Sequence, residues 1–284
     1  MDNYSRTTFD AMGDRCKTIE RAFEHTLQCP SDSCLVMRLD GRAFHTFTRT
    51  GIKHPFDPAL SAAMTATATA VLKEFNACLA YTQSDEITVV LFATRDREGL
   101  LHLPFGGHLQ KLVTTAAAVA TRAFGLAVQE FLPHKIASVA TFDARAFVCT
   151  TAEAEENLVW RQTDAMRNAI SNMYHSRSDM GPPRSKIAGF HFMRAALVAA
   201  GEDLTTLLSH RVQGTFLRRR ERLCMLEPDI LDKIPVDRRP TGPIVRHETV
   251  ETGWPPLSTL ANLSDVLWLD AHPIANSPSK DSPP

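Results

Sequence analysis

The sequence contains no CxxC pair. Its six cysteines, Cys16, Cys29, Cys34, Cys78, Cys149 and Cys224, are scattered, and its 11 histidines fall into no recognisable zinc spacing. These absences argue against a zinc-ribbon or thioredoxin-like site. Buried free thiols in a reducing compartment are the expectation, with Cys34, Cys78 and Cys149 in strands. No run of about 18 apolar residues suggests a membrane span, and the opening Met-Asp-Asn-Tyr-Ser-Arg lacks a signal-peptide pattern. A soluble, intracellular and cytoplasmic protein with no membrane partner is therefore expected. The formal net charge of −1 gives no global basic signature, which leaves nucleic-acid binding to a local patch. There is no internal repeat, and Gly106-Gly107 is too short for a glycine-rich phosphate loop.

What is present is ordinary globular composition, 44% hydrophobic and 22% charged, over 284 residues, enough for one large domain or two small ones. Phe9 to Cys29 reads as an amphipathic helix. Apolar, β-branched runs bounded by turn residues predict strands at about 34–40, 78–82, 86–92 and 138–142, the last resuming at 146–149. A helix is expected over 58–75, with Asp57 as N-cap and Pro58 at its first position. A second is expected over 108–131, ended by Pro133. The short Gln83-Ser84-Asp85 connection predicts an antiparallel hairpin. The order β-α-β-β-α-β is the split-βαβ pattern, an α+β arrangement shared by polymerase palms and by many unrelated proteins. Further helices are expected over 152–176, capped by Thr151, over 185–200 and over 203–209. From about Pro228 proline becomes frequent and periodicity fades, and 272–284 reads as a disordered tail.

Two stretches carry chemistry. Arg38-Leu39-Asp40-Gly41-Arg42-Ala43-Phe44-His45 leaves the end of the first strand, and Gln83-Ser84-Asp85-Glu86 leads into the third. If the strands are neighbours, Asp40, Asp85 and Glu86 meet at one sheet edge. Asp-Gly and Ser-Asp are also ordinary turn residues. The chemical alternative is a site in which the two aspartates hold Mg²⁺ ions that clamp the oxygens of a phosphoryl or nucleotidyl transfer, with the Gly41 carbonyl free to approach because glycine has no Cβ. Arg42, His45, Lys53, His54 and Lys111 form either a solvated basic set or a triphosphate cradle. Trp160-Arg161-Gln162-Thr163-Asp164 and Asn168 share one helix, as a surface salt bridge with a core Trp or as a polar face for RNA. Arg218-Arg219-Arg220-Glu221-Arg222 is a solvated charge run or an RNA contact.

These strings, with Phe142-Asp143-Ala144-Arg145, Gly13-Asp14-Arg15 and Gly214-Thr215, resemble the tRNA(His) guanylyltransferase family over about residues 12 to 225. The resemblance implies a palm-like core, two Mg²⁺ ions, GTP and ATP as substrates, a tRNA partner and a homotetramer. It implies 3′-to-5′ nucleotide addition: the 5′ end is activated with ATP or GTP, then attacked by the 3′-hydroxyl of the incoming nucleotide. Carried over, Asp40, Asp85 and Glu86 are catalytic, and Asp40, Gly41 and Asp85 hold metal. Gly41, Arg42, Ala43, Phe44, His45, Ser84 and Lys111 bind nucleotide, and Arg145, Arg161, Gln162, Asp164, Asn168, Arg218 and Arg219 bind tRNA. Residues 1–150 would form the palm-like catalytic unit with its N-terminal helix, 151–227 a helical extension for tRNA binding and assembly, and 228–284 a largely irregular tail. Where eukaryotic-type members carry His-x-Asn-Asn-Leu-Tyr-Asn, this chain has Met166-Arg167-Asn168-Ala169-Ile170-Ser171-Asn172. That is similar to the guanylyltransferase-like branch, which implies templated repair of 5′-truncated tRNA. Addition of an extra G to tRNA(His) is the alternative within the class, and a non-catalytic tRNA-binding protein the alternative outside it.

Overall fold

Alternation along the strands decides the architecture. In the computed structural model, which describes residues 6–135, 140–177, 189–202, 204 and 210–276, strand β1 (Ser33–Arg42) is flanked by antiparallel neighbours on both sides. Its odd-numbered Leu35, Met37 and Leu39 face one layer and its even-numbered residues the other, as a two-residue period requires. Helix α1 (Arg6–Arg21) precedes it and ends eight residues earlier than the expected helix, because the chain turns at Ala22–Glu24 to reach the Thr26–His108 bridge. After β1 comes α2 (Phe44–Thr48), a helical turn inside the expected loop. Helix α3 (Pro58–Glu74) follows, and the Asp57 carboxylate caps it by accepting from the Ala59 amide at 2.9 Å and the Leu60 amide at 3.4 Å. β2 (Leu79–Gln83) and β3 (Glu86–Leu91) form the expected hairpin. A small β4 (Thr94–Arg95) and β5 (Leu101–His102) hairpin occupies the following linker. α4 (Leu109–Phe131) leads to β6 (Thr141–Thr150), a single strand rather than an interrupted one.

The sheet order is β6-β1-β3-β2-β7-β8, with every pair antiparallel. β7 (Thr215–Cys224) and β8 (Ile244–Thr252) were not anticipated. The arginine run is an edge extension of the sheet, and the range expected to be irregular supplies its last strand. Cross-strand pairing explains why a charged run makes a strand: Glu221 stands opposite His247 at 3.7 Å, and Arg222 reaches Glu248 on the diagonal at 3.7 Å. α5 (Thr151–Ser176) is capped by Thr150 rather than Thr151, through a capping box in which Glu153 returns the bond to the Thr150 amide at 2.8 Å. α6 (Phe190–Ala199), α7 (His210–Gln213), α8 (Pro228–Leu231) and α9 (Leu263–Trp268) complete the described helices. The helix expected over 203–209 falls almost wholly outside the described residues, as does 277–284 of the tail.

Two cores result. On one face Leu35, Met37, Leu39, Ile87 and Val89 pack against Ala63, Met64, Ala68, Val71 and Leu72 of α3 and Leu112, Ala116, Ala120 and Phe124 of α4. By length and composition α4 is a candidate membrane span, contrary to expectation, yet these same residues of it line the core. On the other face Cys34, Val36, Leu79, Tyr81, Val90 and Phe216 meet Ala154 and Leu158 of α5 and the C-terminal Leu257, Leu260, Val266 and Leu267. All six cysteines are free, Cys29 and Cys34 being buried.

Candidate functional site

The polar end of the second face holds the site. Asp40 lies opposite Glu86 on β3 and opposite Asp143 on β6, so three carboxylates share one rung and one face. The next rung, two residues back, pairs Arg38 with Thr88 and Arg145. Asp85 joins them from the two-residue β2–β3 turn, where Ser84 is held in the left-handed region at φ 49° and the Gly41 amide donates to the Asp85 carbonyl at 3.0 Å. Gly41 has to be glycine: a Cβ there would stand 2.3 Å from the Phe44 ring and 2.9 Å from the Asp85 Cβ. Burial pushes the Asp85 carboxyl above its ordinary pKa, and the neighbouring Asp40 carboxylate pushes it the same way, against the Ser84 hydroxyl and its own amide.

Asp40, Asp85 and Glu86 therefore converge as expected, but Glu86 has a different employment. It forms ion pairs with Arg161 and, at 3.6 Å, with Arg38. Arg161 is 6% exposed and stacks on Trp160 at 4.6 Å, and burial together with Arg38 lowers its pKa. Arg161 and Gln162 are thus internal rather than an RNA-facing pair. Gln162, 2% exposed, accepts from the Leu257 amide at 2.7 Å and so ties α5 to the C-terminal segment. Arg218 is likewise withdrawn from solvent: it donates to the Val266 carbonyl at 2.6 Å and the Leu267 carbonyl at 3.0 Å. Its neighbour Arg219 keeps partial exposure, and Arg220 and Arg222 are exposed.

Two nucleotide assignments also move. Phe44 is 5% exposed, in a ring cluster with Phe47, Phe124 and Phe142, with centroids 5.2 to 5.9 Å away, so it is core rather than a stacking surface. Lys111 sits on the first turn of α4, about 20 Å along the helix axis from Phe124 at 1.5 Å per residue. Because Phe124 marks the Gly41 end of the sheet, Lys111 is at the opposite end. Arg42, Ala43, His45 and Ser84 remain exposed beside Asp40 and Asp85, with Ala43 at φ 50° turning the chain into α2.

Next to Asp85 a cavity of about 390 Å³ opens between the N-terminal turn of α3, the β2–β3 turn, α5 and the start of β7. Asp164 and Asn168, joined by a 3.1 Å hydrogen bond, form its α5 wall, with Asp57, Ser84 and Thr215 opposite. Sequence reading missed this cavity and Asp143. The cavity joins four segments far apart in the chain, whereas Asp143 had a signal in the Phe-Asp-Ala-Arg string.

Among the described residues no group of three or more His, Cys, Asp and Glu is arranged to hold a metal ion. Two carboxylates and a peptide carbonyl do suit Mg²⁺, which keeps several waters and is held by one or two carboxylates together with substrate phosphates. The charge crowding at Asp85 is what a cation there would relieve.

A family model described as tRNA(His) guanylyltransferase matches residues 17–150. Over this segment, a little under half of its length, the chain is similar to the tRNA(His) guanylyltransferase family. It is 28% identical over 155 residues to a probable tRNA(His) guanylyltransferase of Drosophila melanogaster, covering 54% of this chain and 52% of that protein. An uncharacterised protein of Acanthamoeba polyphaga mimivirus is 28% identical over 200 residues, 62% of this chain and 66% of that one. The chain spans from about half to two thirds of the length of the curated relatives it matches. A solved structure of a bacterial tRNA(His) guanylyltransferase-like protein in complex with ATP superposes with TM-score 0.64 at 29% identity, over 74% of this chain and 87% of the other. Another, in complex with GTP, gives TM-score 0.62 at 26% identity, over 87% and 94%. The family match takes in Asp40, Asp85, Glu86 and Asp143 and stops where α5 begins. Arg161, the residue that fixes Glu86, therefore lies beyond it.

Proposed function

We propose that this chain is a nucleotidyltransferase, dependent on Mg²⁺, that adds nucleotides to the 5′ end of tRNA in the 3′-to-5′ direction on a polymerase-palm-like core, with repair of 5′-truncated tRNA as its task. The observation that carries this reading is the convergence of Asp40 and Asp85, from two separate strand ends, beside a 390 Å³ cavity. The ATP and GTP held by the two bacterial relatives support nucleotide as the ligand class. Asp40, Asp85 and the Gly41 carbonyl would hold the metal, which supplies positive charge against the phosphate oxygens. The chain's own residues do the rest. Arg42 and His45 stand exposed beside Asp40 to neutralise phosphate, and Ser84 offers a hydroxyl at the turn. Asp164 and Asn168 present an acceptor and a donor on the cavity wall, the kind of polar pair that orients a base edge. Arg38 and Arg161 pair with Glu86 and hold it in place.

The test uses purified protein, Mg²⁺, nucleoside triphosphates and two 5′-labelled RNAs: intact tRNA(His), and a tRNA lacking its first nucleotide. Templated restoration of the truncated end is expected. Asp40→Ala and Asp85→Ala should each cut addition by about 100-fold or more, beyond what loss of an outer-shell partner costs a metal site, with unfolding curves retained. Full activity in both variants would sink the proposal. The relatives named as tRNA(His) guanylyltransferases favour a second reading, addition of one G to intact tRNA(His), and preference for that substrate would establish it.

A further inference from the structure

Two of the six free cysteines meet across a strand pair. The β1–β6 register sets Cys34 directly opposite Cys149. Directly opposed residues of antiparallel strands have Cα atoms about 4.5 to 5.5 Å apart and side chains on one face. A disulfide needs about 4.4 to 6.8 Å. Both side chains join the core on the α5 side of the sheet. Cys34 is 0% exposed, whereas Cys149 is half-buried on β6, an outermost strand. Burial pushes both thiols up, so they rest protonated at neutral pH. Beyond that, Cys149 raises Cys34, and the Cys34 S–H donates toward the Cys149 sulfur and favours its thiolate. The more accessible sulfur is therefore the one to attack, and the buried sulfur the second to react. Position excludes the other thiols. Cys78 precedes β2, and β3 stands between β2 and β1, so the two strands are about 10 Å apart, beyond the 7 Å limit for a bridge. Cys29 packs into the core on the opposite face, its thiol donating to the Ser33 carbonyl at 3.4 Å. Cys16 lies on α1 and Cys224 at the far end of β7.

We propose that Cys34 and Cys149 are a dithiol–disulfide couple, which staples the outermost strand β6 to β1 when the protein meets a small-molecule disulfide such as oxidised glutathione. The Cys149 thiolate attacks one sulfur of the small disulfide, which forms a mixed disulfide and releases one small thiolate. Cys34 then attacks the Cys149 sulfur, closes the Cys34–Cys149 bond and expels the second small thiolate. The two cysteine protons end on the two released thiols. The cysteine pair loses two electrons and the small disulfide gains them. The place of the staple gives it a consequence. β6 has a neighbour on one side only, and six residues along the same two strands stand Asp40 and Asp143. Cys149 also directly precedes Thr150, the cap of α5. Closing the bond pins the strand that carries Asp143 and the start of the helix that carries Arg161, and it constrains the unfolded chain between the two cysteines. The inference does not depend on the nucleotidyltransferase reading.

The full-length protein carrying Cys16→Ser, which removes the exposed α1 thiol, is incubated folded with excess oxidised glutathione. It is then quenched in acid, blocked with N-ethylmaleimide and read by intact mass and peptide mapping. The expected product has lost two hydrogens, carries no glutathione between Cys34 and Cys149, and yields their peptides linked. Its thermal unfolding should rise by about 5 °C or more and return on reduction with dithiothreitol. Adding Cys34→Ala should leave glutathione trapped on Cys149, the signature of an attacking thiol that has lost its second partner. Adding Cys149→Ser should abolish both the link and the thermal shift, and this half-buried position reports even if the buried Cys34→Ala variant fails to fold. Nucleotide addition by the reduced Cys149→Ser variant should match that of the Cys16→Ser parent, so failure of the couple leaves the catalytic reading untouched. No link in the folded protein overturns the couple. So does a mixed disulfide at Cys149 that persists with Cys34 present, and so does a link through Cys29, Cys78 or Cys224.

Discussion

The two faces of the one sheet are built from the same alternating strands and end up with opposite characters. Facing α3 and α4, Leu35, Met37 and Leu39 are apolar from end to end. Facing α5, Cys34 and Val36 are apolar but Arg38 and Asp40 are charged, and β3 repeats the change from Val90 to Glu86. The first face is a core that any well-packed protein needs. The second is a core for half its length and a charged surface for the rest, held only because Glu86 finds two arginines. The charged half is therefore where stability is surrendered, and that is where carboxylates crowd together.

The comparison can be broken at the ion pair. Arg161→Met leaves Glu86 largely buried with Arg38 alone, and a loss of about 3 to 5 kcal/mol is expected, the usual cost of removing one partner of a buried pair. Adding Glu86→Leu to that variant should recover most of the loss in urea unfolding. A double variant as unstable as the single would show that the pair is not what holds this half of the face together. Gly41→Ala tests the seam between the faces, since the new Cβ would press on Phe44 from one core and on Asp85 from the other. A destabilisation of about 1 to 3 kcal/mol, typical of overpacking, should appear together with lost nucleotide addition, and stability alone changing would disconnect the seam from the site. Thr150→Ala removes the cap of α5, the helix that covers the second face, and should cost about 1 kcal/mol in thermal unfolding without altering the site.

A pH series sharpens the contrast further. Because the folded protein raises the Asp85 pKa above its unfolded value, the folded state binds the proton more tightly. Asp85 therefore costs stability as pH rises from the ordinary carboxylate range through its raised folded pKa, and goes on costing it above. Asp85→Asn should unfold at higher temperature than the wild type at neutral pH, with the gap closing below the ordinary carboxylate range. A gap that persists in acid would mean that Asp85 ionisation is not its source. Nucleotide addition, if it needs ionised Asp85, should fall on the acid side at a pH above that of an unshifted aspartate.

Local patterns carried much of this. Asp57 followed by Pro58 marks the start of α3, the apolar runs mark β1 and β3, and Ser84-Asp85 marks a hairpin, because each is a short-range preference of the backbone. β7 escaped notice because Arg218-Arg219-Arg220-Glu221-Arg222 has no apolar alternation. It becomes a strand only through the β8 residues that neutralise it and the carbonyls of Val266 and Leu267 that bind Arg218. Trp-Arg-Gln read equally well as a polar face or a salt bridge, since helical spacing cannot say which flank is buried.

By itself, then, the sequence determined the split strand-helix order, the two aspartates at strand ends and the glycine between them, all consequences of local conformational preference and spacing. Tertiary structure alone decided that Glu86, Arg161, Gln162, Phe44 and Arg218 are framework and that Asp143 and Arg145 stand opposite Asp40 and Arg38 on the same sheet face. The reason is physical: strand register and helix rotation assign a side chain to its neighbours, and both are set by burial of segments more than a hundred residues apart in the chain.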